Sequence, residues 1–350
     1  MADTDQDAAA PDRVRPLPGQ PQCATGEGAV RRVLRWLAED RSSLAAAATL
    51  LIVLAVTLLA PVYADKISGR DPFRSQSGAT VVLDGVPVQV IQQSTEGLGL
   101  GVTPIGPTWK PGPYFLGADM QGRDVMSRVL YGGQASLIVA SAAAIVTLTL
   151  AASIGICAGF FGGWVDWVVS HLLDVLWAFP VYLFAISLAI VLLTADLHVG
   201  PIVISATSLW VPILIVGIIY VPYVARPIRG QVLALREVEF VKAAVGLGIP
   251  THRILLLDIL PNVATSIMVF LPMMIALNIG TESALSFLSL GVQPPGASWG
   301  TVIRDGQSLI YTRPWVAIAP GIMVIITIAA LNVLGDGMRQ AFDPRAQLRG

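Results

Sequence analysis

Charged residues are scarce in this chain. Of its 350 residues only 13% are Asp, Glu, Lys or Arg, whereas 54% are apolar, and the formal net charge is −1. The mean hydropathy of +0.70 is far above that of a soluble domain. This composition excludes an ordinary soluble domain and indicates a protein that lies in a membrane.

Lysine and cysteine are also rare, and each shortage excludes a kind of site. The three lysines, Lys66, Lys110 and Lys242, follow residues other than glycine, so the chain contains no P-loop for nucleotide phosphates. The two cysteines, Cys23 and Cys157, indicate neither a disulfide framework nor a metal site. If ATP drives this protein, another subunit must bind it.

Six apolar stretches without charged residues are long enough to cross a bilayer as helices. A transmembrane helix needs about 20 mostly apolar residues. Solid apolar runs are typical of helices, because the strands of a membrane barrel alternate in polarity. The sequence therefore predicts an all-α integral membrane protein with six transmembrane helices. The predicted spans are residues 42–64, 129–165, 175–195, 197–225, 259–281 and 314–335.

Basic residues cluster in three segments that six spans would place on one side of the membrane. Cytoplasmic segments of membrane proteins carry an excess of Lys and Arg, so we predict that this side, with both termini, is cytoplasmic. The residues are Arg31, Arg32, Arg35 and Arg41 before the first span, Arg226, Arg229, Arg236, Lys242 and Arg253 between the fourth and fifth spans, and Arg339, Arg345 and Arg349 in the tail.

The chain divides into five predicted parts. They are a disordered cytoplasmic arm at 1–30, a region with the first span at 31–64, an external insertion at 65–128, a five-span core at 129–345 and a cytoplasmic tail at 346–350. The arm is rich in Ala, Asp, Pro, Gln and Gly, a composition that cannot form a core. In the insertion, β-branched runs on both sides of Asp84-Gly85 predict a small β-hairpin, although an irregular loop is nearly as compatible with the sequence.

The loop at 237–262 has the pattern of two short helices joined by a bend. An Ala-Ala pair at 243–244 favours the first helix. Gly246 and Gly248 permit the bend, because glycine adopts backbone angles that are closed to other residues. The Leu-Pro-Asn sequence at 260–262 is expected to close the second helix. We expect such a loop to transmit force to a partner.

Four motifs in order along the chain resemble those of one transporter family. The loop at 237–262 is similar to the coupling motif of binding-protein-dependent ABC importers. Residues 116–132, with Asp119, Gly122, Arg123, Asp124, Ser127 and Arg128, resemble the segment before the family's second span. Residues 282–300 are similar to the stretch after its fifth span, and 335–345 resemble its closing motif. The chain therefore resembles the inner-membrane permease subunits of dipeptide and oligopeptide importers, specifically the second permease of such systems.

This resemblance implies a type I ABC importer permease fold in the bacterial cytoplasmic membrane. It implies that a second homologous permease completes the path, that two ATPase subunits bind ATP and Mg, and that an extracytoplasmic solute-binding protein delivers a peptide or peptide-like solute. The chain itself would be a translocation subunit rather than an enzyme, with no cofactor and no nucleic-acid partner. The residues that the resemblance assigns to ATPase coupling are Glu239, Ala243, Ala244, Gly246, Gly248, Arg253, Leu260, Pro261 and Asn262.

Two acidic residues near the ends of predicted spans are candidates for the translocation path or its gate. An ionised group costs about 2.5–3.5 kcal/mol at the centre of a membrane helix, so such residues are functional candidates. Asp174 is near the inner end of the third span and Glu282 near the outer end of the fifth, where both would reach interfacial water. A structural pairing role is equally compatible with their positions. Acids and histidines are too few for the deep proton relay of a proton-driven carrier.

Departures from the family pattern and two other function classes stay open at this point. Lys242 stands where the broader family often has Glu, and Asp258 stands where peptide permeases usually have His, which weakens any claim about the solute. An ion-gradient-driven secondary transporter would work without ATPase subunits. A membrane hydrolase would use Ser298, which lies in a Gly-x-Ser-x-Gly sequence, but Pro294-Pro295 precedes it where a nucleophile elbow requires a strand.

Overall fold

The computed structural model describes residues 40–83, 85–94 and 101–342. The predicted arm at 1–30, the hairpin residue Asp84 and the predicted tail at 346–350 lie outside the described residues, as do the basic residues Arg31, Arg32, Arg35, Arg345 and Arg349.

Helices carry most of the fold, with three short two-stranded ribbons between them. The helices are α1 (Arg41–Leu58), α2 (Val125–Phe161), α3 (Gly163–Ala178), α4 (Val181–Thr194), α5 (Trp210–Ile219), α6 (Val221–Arg236), α7 (Glu239–Gly246), α8 (Thr251–Ile254), α9 (Leu260–Phe287), α10 (Trp299–Gly306) and α11 (Trp315–Phe342). The strands are β1 (Thr80–Leu83), β2 (Val86–Gln89), β3 (Ile91–Gln93), β4 (Val102–Pro104), β5 (Leu197–Val199) and β6 (Ile202–Ile204).

Four helices in the described part of the chain are long and apolar enough to cross a membrane. They are α1, α2, a continuous helix over Thr251–Phe287 that contains α8 and α9, and α11. Two further pairs pass the same test only when each pair is taken together: α3 with α4, bent by 93°, and α5 with α6, bent by 45°. The described chain therefore has four candidate spans, or up to six if each bent pair is one span.

The third and fourth predicted spans differ most from the structure. Helix α3 begins at Gly163, well before the predicted start at 175, and the helix breaks at Phe179. Phe179 is extended because a residue that precedes proline is disfavoured in the helical conformation, and Pro180 follows it. The first part of the predicted fourth span forms the antiparallel pair β5–β6, with Gly200 at a φ of 60° in its turn. The helix predicted there was wrong, because apolarity alone does not distinguish short strands from helices.

Helix α2 lies at the centre of the bundle and contacts α1, α5, α6, α9 and α10. Its small residues let α6 approach closely. A Cβ atom added at Gly155 would lie 2.8 Å from the carbonyl oxygen of Ala225, and one at Gly159 would lie 2.7 Å from the Cβ of Val232. Membrane helices use small residues in this way, because dispersion contacts rather than the hydrophobic effect hold them together in lipid.

The segment between α1 and α2 has a small core of its own. Strands β1 and β2 pair antiparallel, with Leu83 opposite Val86, and β3 pairs with β4. Val90 and Tyr114 are fully buried there, and the Tyr114 hydroxyl donates to the carbonyl of Gly122 at 3.2 Å. Burial raises the pKa of Tyr114 above its ordinary value, because it removes the phenol from water.

Contacts between elements define two ends of the bundle. Gln134 in the first half of α2 donates to the carbonyl of Thr57, near the end of α1, at 2.8 Å. Arg313, just before α11, donates to the carbonyl of Pro104 in the segment between α1 and α2, also at 2.8 Å. These contacts lie at the same end of the bundle as α10, and we call it the α10 end. Helices α7 and α8 lie at the other end, which we call the α7 end.

Candidate functional site

The bend in the predicted coupling segment, residues 237–262, depends on one glycine. Gly248 has a φ of 71°, a conformation that suits glycine, whereas Gly246 is still helical as the last residue of α7. The amide of Gly248 donates to the carbonyl of Val245, and the next amide, that of Ile249, donates to the carbonyl of Ala244 at 3.1 Å. This pattern ends α7 in the manner of a glycine cap. The bending role predicted for Gly246 was therefore wrong.

The second helix of the coupling segment does not end at Leu260-Pro261-Asn262, as the sequence had suggested. It continues without interruption from Thr251 to Phe287 and passes through a wider π-helical turn at Leu255–Ile259. Proline lacks an amide hydrogen, and its ring clashes with the carbonyl four residues earlier in a regular helix. A π turn just before Pro261 is a common way for a helix to accommodate such a break. The coupling segment is therefore part of the same rod as α9.

The two alanines of the coupling segment have different surroundings. Ala244 is buried and packs in the chain's own core with Val241 and Ile254, whereas Ala243 is exposed. Apolar side chains are nevertheless exposed around them. This apolar patch consists of Val238, Phe240, Val245, Leu247, Leu256 and Leu257. Of the other predicted coupling residues, Leu260 is half-buried and the rest, Glu239, Gly246, Gly248, Arg253, Pro261 and Asn262, are exposed.

A single ion pair lies at the entry to this segment among its described contacts. The ammonium of Lys242 lies 2.9 Å from a carboxylate oxygen of Glu237, and both side chains are more than half exposed. The hydrogen bond from Lys242 holds the pKa of Glu237 below its ordinary value. Water screens such a pair, so its contribution to stability is small.

Glu282 lies in a buried polar cluster at the α10 end. Its Oε1 accepts a hydrogen bond from Ser286 at 2.6 Å, and its Oε2 accepts one from Ser136 of α2 at 2.8 Å. Ser136 also accepts the backbone amide of Trp299, the first residue of α10, at 3.1 Å. Glu282 thus joins α2, α9 and α10. It is fully buried, so the expectation that it reaches interfacial water was wrong for this chain.

Ser298 caps α10 instead of standing free as a nucleophile. Its hydroxyl accepts a hydrogen bond from the amide of Thr301 at 3.2 Å. The Thr301 hydroxyl accepts one from the amide of Ser298 at 2.8 Å, which completes a capping box. The side chain of Ser298 is fully buried. A nucleophile elbow presents its serine in an exposed position after a strand, so this geometry does not fit a hydrolase.

Four charged residues form a buried network at the α10 end, which we call the polar collar: Asp119, Arg123, Arg128 and Asp305. Arg123 lies 2.7 Å from Asp119 and 2.9 Å from Asp305, and Arg128 lies 2.9 Å from Asp305. The arginine side chains are only 7% and 2% exposed. The collar connects the segment before α2, α2 itself and α10. Its signal in the sequence was the density of charge within 116–132, but nothing in the sequence indicated Asp305 as the partner.

Asp174 pairs with a residue of α6. Its Oδ1 lies 2.7 Å from Nη2 of Arg226, and Arg229 forms a second, bidentate pair with Asp166. Both pairs join α3 to α6 beside a cavity of about 370 Å³. From the sequence, both arginines were interpreted only as markers of the cytoplasmic side. Their spacing of three residues, which places them on one helix face, was the available signal.

Comparison with known proteins adds to this geometry. The family model described as "Binding-protein-dependent transport system inner membrane component" matches residues 151–348. The glutathione transport system permease protein GsiD of Pectobacterium atrosepticum is 35% identical over 66% of this chain and 73% of its own length. The dipeptide permease DppC of Alkalihalophilus pseudofirmus is 34% identical over 66% of this chain and 72% of its own length.

Two further matches are of the same kind. The oligopeptide permease OppC of Haemophilus influenzae is 35% identical over 67% of this chain and 71% of its own length. A chain from a solved structure of the MetNI methionine ABC transporter in inward-facing conformations matches with a TM-score of 0.49 and 14% identity, over 62% of this chain and 98% of that one.

Proposed function

The chain belongs to the family of binding-protein-dependent transport system inner membrane components, and we propose that it forms half of the translocation path of an ATP-driven importer. The family consists of transport components rather than enzymes. Its match to this chain favours an ABC permease over an ion-gradient-driven secondary transporter.

The observation that carries this proposal is the coupling segment. It exposes an apolar patch at the α7 end and continues as one helix through α9 to the α10 end. An exposed apolar patch of this kind marks a surface that another protein covers. Amphipathic helices commonly dock into apolar grooves of their partners. ATPase subunits with such a groove would move α9 directly when they close on ATP.

The partners we propose follow from the family. A second, homologous permease would complete the path, and two ATPase subunits would bind ATP and Mg and hydrolyse the ATP, while this chain binds no cofactor. An extracytoplasmic binding protein would deliver the solute at the α10 end. The α7 end and both termini would then be cytoplasmic, in keeping with the basic residues of α6 and α7.

We propose a peptide or peptide-like solute. Three relatives that are 34–35% identical to this chain transport, by their names, glutathione, dipeptides or oligopeptides. We also propose that each bent pair, α3–α4 and α5–α6, is one span, which makes six spans in a type I permease fold with the segment between α1 and α2 as an external insertion. Each pair is long and apolar enough for a span when its two helices are taken together, which supports this count.

Affinity purification followed by reconstitution tests the proposal. A tagged copy in mild detergent should bring down a second permease and ATPase subunits with P-loops. In proteoliposomes that also contain the binding protein, ATP should drive uptake of labelled peptides. Recovery of the chain alone from functional membranes, with uptake that follows an ion gradient and ignores ATP, would overturn the proposal.

A further inference from the structure

Three arginines of α6 lie in a row along α3 and the turn before it. Arg226 pairs with Asp174, and Arg229 pairs with Asp166. The guanidinium of Arg236 lies over the turn between α2 and α3, where a Cβ added at Gly162 would be 2.6 Å from its Nη1. We call Arg226, Arg229 and Arg236 the arginine row. It runs antiparallel to α3 and ends where α6 meets the coupling segment.

The two helices that the arginine row joins are held very differently by the rest of the protein. Helix α6 packs closely against the glycines of α2 and buries Val224, Ile228 and Val232. In α3, every residue of which is described, Leu173 alone is buried. Contacts at the surface therefore hold α3 on α6: the two charged pairs, and the stacked rings of Trp177 and Tyr223 with centroids 6.0 Å apart.

The contacts of the arginine row lie at the surface of this chain. The Arg226 and Asp174 side chains are 40% and 66% exposed, and those of Arg229 and Asp166 are 30% and 20% exposed. The cavity of about 370 Å³ beside them is lined by Ser170, Leu173, Asp174, Arg226 and Arg229. Ion pairs in such a setting exchange readily with water, unlike pairs buried in a dry core.

A break lies at the far end of α3. The chain turns by 93° between α3 and α4, at the extended residue Phe179 before Pro180. Beyond it, α4 is fixed to the core by Ala185 and Ala189. Helix α3 is thus a segment with a fixed pivot at one end and exchangeable charge contacts along its length.

We propose that the arginine row is a latch between α6 and α3, which opens and closes during transport and so passes the movement of the coupling segment to the bend at Phe179. Its arginines are positioning residues: they set where α3 lies, and so the width of the path beside it. This inference rests on the proposed function, because it assigns the latch to the transport cycle of an ATP-driven importer.

A reversible cross-link tests whether the latch must open. Trp177 of α3 and Tyr223 of α6 stack with their ring centroids 6.0 Å apart, so cysteines there would connect the two helices and leave every charged residue of the latch intact. In a Cys23→Ser, Cys157→Ser background, Trp177→Cys with Tyr223→Cys would be linked in the assembled complex by a reducible bis-methanethiosulfonate reagent. When the two cysteines are linked, we expect the rate of ATP-driven peptide uptake to fall by about tenfold, which is a typical size for coupling between two sites. Uptake should recover on reduction. Equal uptake in the linked and reduced complexes would overturn the latch.

Charge reversal provides a second measurement that does not depend on the cross-link. Asp166→Arg and Arg229→Asp should each lower the amount of peptide imported per ATP hydrolysed, while ATP hydrolysis continues. The double variant should restore this ratio. A ratio that stays unchanged while uptake and hydrolysis fall together would show a structural role only and would overturn the latch. If the unmodified complex does not import peptide with ATP, the proposed function is wrong. If the unmodified complex imports peptide but the variants do not behave as expected, only the latch proposal is wrong.

Discussion

At the α10 end of the bundle charged side chains are buried and paired, whereas at the α7 end apolar side chains are exposed. Arg128 of the polar collar is 2% exposed, while Leu247 of the coupling segment is 80% exposed. At the α10 end the charged residues of the collar are paired with one another within this chain. The α7 end leaves its apolar patch without cover from the described residues.

The contrast shows which end this chain can complete by itself. Removal of one partner from a buried charge network costs about 3–5 kcal/mol, because the other charge is left buried and unpaired. The collar and the Glu282 cluster should therefore keep the α10 end rigid. Burial of the apolar patch by another protein would be favourable, which supports the proposal that the α7 end is a surface for assembly.

The largest expected effect is at the collar. Asp305→Ala should lower the free energy of unfolding by about 3 kcal/mol, because Arg123 and Arg128 would lose a shared carboxylate in a buried site. Thermal unfolding of the purified complex measures this. Asp71→Ala, which removes an exposed pair with Arg74, is the control and should have little effect. Equal losses in both variants would contradict a rigid α10 end.

Gly248→Val should produce the next largest effect, which should appear in coupling as well as in stability. Gly248 has a φ of 71° with open space around it, so the strain is in the backbone alone, about 2 kcal/mol for a β-branched residue. Solute-stimulated ATPase activity of the reconstituted complex should fall strongly, while membrane insertion is retained.

Gly246→Ala is the matched control for that bend, because Gly246 is helical and also has open space around it. Its ATPase stimulation should equal that of the unmodified chain. Normal stimulation in Gly248→Val would show that the left-handed bend is unnecessary for coupling.

Leu247→Ser should weaken assembly without unfolding the chain. Leu247 is 80% exposed here, and full burial of a leucine in a partner is worth about 1.5–3 kcal/mol. The affinity for the ATPase subunits should fall by about tenfold, measured by titration in detergent. Tyr311→Ser, at the α10 end and 97% exposed, is the control and should leave this affinity unchanged. Equal weakening by both variants would remove the distinction between the two ends.

Glu237→Ala should have the smallest effect. The side chains of Glu237 and Lys242 are both more than half exposed, so water screens the pair and its contribution to stability is small. Thermal unfolding should therefore change far less than in the collar variant, and the difference should shrink further in high salt because ions screen exposed charges. A loss as large as that of Asp305→Ala would mean that exposure does not separate the two ends.

The sequence could predict the helical membrane class and the position of the coupling segment, because both depend on local patterns. The long apolar run of α2 and the Gly-Leu-Gly bend are visible within a few tens of residues. The sequence could not predict the hairpin at Leu197–Ile204, because a short apolar run has the same composition in a strand and in a helix.

Partners distant in the sequence were also beyond prediction. Glu282 could be identified as an acid near a span, but its burial depends on Ser136, which is 146 residues away. Asp305 similarly meets Arg128 across 177 residues. Local sequence patterns contain no information about such pairings, because the packing of the whole bundle determines them. For the same reason, the sequence indicated the positive charge of Arg226 and Arg229 but not that they pair with Asp174 and Asp166.

In the proposed transport cycle, the unbroken helix over Thr251–Phe287 would act as a lever. A helix of 37 residues is about 55 Å long, so it reaches from one face of a bilayer to the other. If it rocks by about 10° around its middle, each tip moves by about 5 Å in opposite directions. One tip carries the surface offered to a partner, and the other carries Glu282. A push on one face of the membrane can thus be felt on the opposite face in a single mechanical step.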